Sequence, residues 1–145
     1  WNKDPWGLFS YFDEMLSNLQ ILSGYGKNGV VNNTPKDGLV MRMHIHQYPT
    51  GGGYMEKHKD PAVLQKSTML ICLTEYGKDY HSGGVYFAKK EGEKVHLDER
   101  LKVGDVVLAH PSIEHGVSPI DSEEEFEWTS EKGRWMVLFG FMPTD

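Results

Sequence analysis

The stretch LVMRMHIHQYPTGGGYMEKHKDP, residues 39–61, changes character twice. Over residues 39–48 it alternates. Val40, Arg42, His44, His46 and Tyr48 fall on one face of an extended strand, and Met41, Met43, Ile45 and Gln47 on the other, because successive strand side chains point to opposite sides. Gly51, Gly52 and Gly53 then allow a tight turn. They do not form a phosphate loop, because no helix pattern and no Lys-Ser/Thr pair follows. The stretch closes on His58-x-Asp60. In extended chain this imidazole and carboxylate share a face and can approach one ion together.

Working outward, strand signals dominate. STMLICLTE (67–75) is a near-continuous apolar run, suited to a strand buried on both sides. GGVYFAKK (83–90) enters a strand through Gly83-Gly84, KVHLD (94–98) is a weaker one, and DVVLAH (105–110) follows a Gly104-Asp105 turn. HGVSPI (115–120) is short, and GRWMVLFGFM (133–142) is the strongest. The one long helical pattern has Leu8, Phe12, Met15, Leu16 and Leu19 at three- and four-residue steps. It predicts a helix over about residues 5–22, opened by Asp4-Pro5 and stopped by Gly24 and Gly26. These elements predict a mainly β fold, a double-stranded β-helix (jelly roll) with the N-terminal helix packed outside a sheet. Residues 1–145 are expected to form a single domain.

Composition narrows the function. The formal charge is −6, from 15 basic and 21 acidic residues, which argues against nucleic acid as a partner because phosphate binding needs a basic surface. No run of about 18 apolar residues is present, so no membrane span is expected. The lone cysteine, Cys72, sits in the apolar run and reads as a core residue. One cysteine excludes an intrachain disulfide and favours a reducing compartment, hence a cytoplasmic expectation. A small-molecule or peptidyl substrate remains as the expected partner, and oligomeric state is not legible.

A metal site needs more than His58 and Asp60. Two histidines and one carboxylate on one face of an octahedral Fe(II) ion leave three positions open for substrates and O2. Of the other histidines His115, in AHPSIEHGVSP, is the best placed, just past the Pro111 turn at the start of a strand. His110 is its nearest rival. Arg134 opens the last strand with a planar fork suited to a carboxylate. 2-Oxoglutarate could chelate the metal by its keto-acid end and set its far carboxylate on Arg134.

QYPTGGGYMEKHKDP, GGVYF, GDVVLAHPSIEHGVSPI and GRWMVLFGF occur in the order seen in Fe(II)/2-oxoglutarate-dependent oxygenases. Over about residues 39–142 the chain resembles the prolyl 4-hydroxylase-like branch of that superfamily. The resemblance implies His58, Asp60 and His115 as catalytic metal ligands, with Fe(II), 2-oxoglutarate and O2 as cofactor and cosubstrates. It also implies that Tyr48, ten residues before His58, lines the cosubstrate pocket with Arg134. The implied reaction is hydroxylation of an unactivated C–H bond, with succinate and CO2 as coproducts. Asp60 is present where related halogenases carry a small residue, which favours hydroxylation. Arg134 follows His115 at a longer interval than in that family because residues 121–131 intervene, and Met136 stands in place of a serine. Lys132 is the alternative cation.

Other features keep two readings. Arg42, His44 and His46 form either a solvated polar face or a substrate pocket beside the metal. The acidic segment 121–131 is either solvated charge or a lid for a cationic substrate, with Phe126 and Trp128 anchoring it or closing over a ligand. Trp135 is expected in the core. The competing function classes are a cupin-type metal enzyme using His44 and His46, for which the expected following glutamate is absent, and a non-catalytic jelly-roll binding module.

Overall fold

A computed structural model describes residues 4–25, 34, 36, 38–63 and 67–143. Among the described residues, eight strands follow two short helices: α1 (Leu8–Tyr11), α2 (Asp13–Leu22), β1 (Leu39–Pro49), β2 (Gly53–His58), β3 (Thr68–Cys72), β4 (Gly84–Ala88), β5 (Lys94–His96), β6 (Val106–Ala109), β7 (His115–Ile120) and β8 (Gly133–Pro143). They form two four-stranded sheets, one ordered β1-β8-β3-β6 and the other β2-β7-β4-β5. Every pairing between these strands is antiparallel. The fold is therefore mainly β, a two-layer β-sandwich.

The helical segment starts later than the periodicity predicts. Gly7 adopts φ +68°, a left-handed conformation cheap only for glycine, so the chain turns before Leu8 instead of entering a helix at Pro5. Asp4 still supplies the cap, its carboxylate accepting hydrogen bonds from the backbone N–H groups of Leu8 (2.7 Å) and Ser10 (3.2 Å). The helix breaks at Phe12 and resumes as α2, which ends just before Gly24; Gly26 lies outside the described residues.

Leu16 and Leu19 of α2 pack on the outer face of the first sheet, against Met41, Met69, Ile71, Val137, Phe139 and Phe141. Burying each leucine contributes about 1.5–3 kcal/mol. A buried contact between the Ser23 and Ser67 hydroxyls, 3.1 Å, ties the end of α2 to the start of β3. The second core lies between the sheets. Tyr48, Leu70, Cys72 and Met136 come from the first sheet, Val117 and Ile120 from the second, and Tyr80 from the connection before β4. β3 is buried along nearly its whole length, as its unbroken apolar run predicts. Trp135 departs from expectation. It lies on the helix-bearing side of β8 but is only half-buried, its indole N–H donating to the Glu131 carbonyl at 2.8 Å. No helix among the described residues is long and apolar enough to cross a membrane.

Candidate metal centre

β2 and β7 pair with His58 directly opposite His115, and this register places two residues 57 positions apart side by side. Their rings lie 4.4 Å apart, centroid to centroid. Asp60 lies just past the end of β2, where its backbone N–H donates to the Pro111 carbonyl (2.9 Å). Its carboxylate sits between the imidazoles, Oδ1 at 3.6 Å from His58 Nε2 and Oδ2 at 3.6 Å from His115 Nε2. Both distances are too long for hydrogen bonds. One ligand atom from each residue lies within 4.8 Å of the others, the only such group of three His, Cys, Asp or Glu side chains among the described residues.

The local backbone sets the histidine tautomers. Nδ1 of His58 is 2.8 Å from the Glu56 carbonyl, and Nδ1 of His115 is 2.8 Å from the Ile113 carbonyl. A carbonyl only accepts, so each Nδ1 carries the proton and donates it, leaving the Nε2 lone pair facing Asp60. Metal-ligating histidines are held in just this way. An octahedral ion with bonds of about 2.1 Å spaces neighbouring ligand atoms about 3 Å apart. The present 3.6 Å separations need only a small contraction to meet it. Thr68, at the start of β3, donates to Asp60 Oδ2 at 3.4 Å. The donor set of two imidazoles and a carboxylate therefore fits a divalent metal with open positions.

A narrow cavity, with about 70 Å³ of space open to water, extends from these residues between the sheets. Met55, Leu70, Val85, Phe87, Val117 and Met136 give it largely apolar walls, with His46 and Tyr48 as polar groups. His110 also reaches this cavity, but its Nδ1 turns to Ser112, accepting from the Ser112 N–H (3.2 Å), and it is not part of the three-residue group. Burial raises the Tyr48 phenol above its ordinary range, with the nearby Arg134 charge acting in the opposite direction. The hydroxyl makes only a long contact, 3.9 Å, to the Met55 sulfur.

The other sequence-selected residues divide. His46 lines the cavity; Arg42 is exposed and His44 is partly buried, further along the same face of β1 and outside the lining. The His44 and His46 rings are 5.7 Å apart, and burial lowers both pKa values, helped at His44 by the charge of Arg42. No carboxylate joins them in a ligand group among the described residues. Lys132 is exposed and lines a separate surface depression with Thr50, Asp79 and Glu131.

Arg134 shares its face of β8 with Met136 but is 2% exposed and absent from the cavity wall. Its Nε and Nη2 donate to Asp98 at 2.6 and 3.1 Å, and Nη1 contacts the Met136 sulfur at 3.1 Å. Burial works against the guanidinium charge, but Asp98 outweighs it and holds the arginine above its ordinary range. Asp98 also accepts from the Tyr80 hydroxyl (2.7 Å) and the Val85 N–H (3.0 Å). Sequence reasoning missed Asp98 and Thr68. Neither carries a local signal: KVHLD reads as an ordinary weak strand, and Asp98 meets Arg134 only through folding.

Asp121, counted with the acidic segment, is 7% exposed and structural, accepting from the backbone N–H groups of His81 (2.8 Å) and Ser82 (2.7 Å). Phe126 and Trp128 meet edge to face at 4.9 Å, and Trp128 is 86% exposed. They flank a shallow groove with Tyr48 and Tyr54, outside the apolar cavity. A scan against protein-family models finds no match to this chain, and a search of curated proteins finds none either.

Proposed function

We propose that the chain is a non-haem Fe(II) dioxygenase, one catalytic domain over residues 1–145, hydroxylating an unactivated C–H bond of a polar small-molecule or peptidyl substrate. The observation that carries this reading is the convergence of His58, Asp60 and His115 at the mouth of an apolar cavity, with both Nε2 lone pairs facing the carboxylate. The strand orders β1-β8-β3-β6 and β2-β7-β4-β5 support a jelly-roll winding, because the chain passes repeatedly between the sheets.

Fe(II), when bound, would supply O2 activation coupled to oxidative decarboxylation of a 2-oxo acid, for which the sequence resemblance implies 2-oxoglutarate. The balance is that one O2 oxygen enters the acid left after CO2 loss and the other enters the substrate as hydroxyl. The 2-oxo acid supplies two electrons and the C–H bond two. The protein's residues do the rest. His58, His115 and Asp60 hold the metal on one face. Thr68 orients Asp60 by a hydrogen bond. The walls of Leu70, Val85, Val117 and Met136 exclude water from the buried side.

The test is anaerobic Fe(II) titration followed by addition of 2-oxo acids. A visible charge-transfer band is expected with the native chain and no band with His58→Ala or Asp60→Ala. A native chain that takes up no divalent metal would leave a non-catalytic binding module as the reading.

A further inference from the structure

The cation that a dicarboxylate would need is already occupied. Asp98 holds Arg134 through two hydrogen bonds and takes two more from Tyr80 and Val85, so four donors converge on one buried carboxylate. The backbone is shaped around it. Gly84 has φ +111°, and a Cβ there would run into the Asp98 carboxylate. On the cavity side, Met136 contacts Arg134 Nη1 and itself lines the cavity. Among the described residues, no lysine or arginine lines the cavity.

We propose that Asp98, by holding Arg134 behind the Met136 wall, leaves the cavity without a free cation, and that this restricts the cosubstrate at the metal to a 2-oxo acid with a single carboxylate. This rests on the Fe(II)/2-oxo acid reading above and changes the acid that the sequence resemblance implies. A second carboxylate reaching toward Arg134 would have to displace Met136, and would find the guanidinium already neutralised by Asp98 with that like charge beside it, in a site shielded from water. Stopping short of Arg134 would leave it desolvated among Leu70, Val117 and Met136. The Tyr48 hydroxyl offers one donor there, enough for a neutral polar group and too little for a full charge. A 2-oxo monocarboxylate presents the same two chelating oxygens to the metal and only a short apolar tail to these walls.

The experiment uses the Fe(II)-loaded native chain without O2, after its metal uptake has been measured. It is titrated separately with pyruvate and 2-oxoglutarate, followed by charge-transfer absorption and by heat of binding. Pyruvate is expected to bind at least as tightly as 2-oxoglutarate. In Asp98→Asn, 2-oxoglutarate should tighten by about tenfold or more while pyruvate stays within about threefold. A lower Kd for 2-oxoglutarate than for pyruvate in the native chain overturns the proposal while leaving the metal reading intact. This comparison needs no variant and so stands even if Asp98→Asn fails to fold. Absence of metal uptake, or of a response to either acid, overturns the proposal together with the reading it rests on.

Discussion

His58 and His115 are each pinned by a carbonyl two residues earlier in their own chain, so their ligand orientation is a property of local backbone as well as of the sandwich. Removing either imidazole leaves two donors, and metal affinity should fall by more than about 100-fold. This exceeds the 10–100-fold cost typical of disturbing a ligand's supporting hydrogen bond. Equilibrium dialysis of His115→Ala against Mn(II) or Co(II) measures it. His44 and His46 make a separate prediction. Burial lowers both pKa values below the ordinary 6.5. Well above pH 6.5 both residues are neutral folded or unfolded and contribute nothing. As pH falls through 6.5 the unfolded chain takes up protons that the folded chain refuses, so stability should drop until the lower folded pKa values are passed. Proton NMR titration of the two rings should give midpoints below 6.5, and denaturant unfolding should show the loss; midpoints at or above 6.5 would contradict the burial argument.

At the scale of elements, α2 gains its place from the outer face of the first sheet rather than from helix propensity alone. Leu16 is fully buried against that sheet, and Leu16→Ala should cost about 2–5 kcal/mol, read as a lower denaturant midpoint. A change under about 1 kcal/mol would mean that the helix is only loosely seated. Strand periodicity was highly legible: residues 115–120 are predicted and observed without a shift, and the two long strands of the first sheet, β1 and β8, fall within a residue of their expected ends. The helix start was not, because Gly7 reads as an ordinary first-turn residue until its positive φ is seen. The strand β2 that carries His58 was visible only through its glycine turn and its His-x-Asp end. Its side chains are mostly exposed or half-buried, which leaves little apolar alternation to read.

For the whole molecule, the candidate metal site joins the end of β2 to β7 and to the segment that carries Asp60. Metal binding should therefore stabilise the folded chain as a unit. At a free metal concentration of 100 times Kd the gain is about 2.7 kcal/mol, equivalent to roughly 5–10 °C in Tm for a chain of this size. Differential scanning fluorimetry with and without metal should show that shift, chelator should reverse it, and His58→Ala should abolish it. An equal shift in His58→Ala would place the bound metal elsewhere.

From the sequence alone came most of the strands, by alternation or an unbroken apolar run, the helix by its period of about 3.6, and the pairing of His58 with Asp60, which are neighbours along the chain. His115 could be selected as the third candidate ligand because it lies just past the Pro111 turn at the start of a strand. Only the tertiary structure decided what surrounds Arg134. Asp98 is 36 residues away, on a different sheet connection, and nothing in its local context marks it as the arginine's partner. Local periodicity records which way a side chain points; which charge it meets in the interior depends on the register and packing of distant strands.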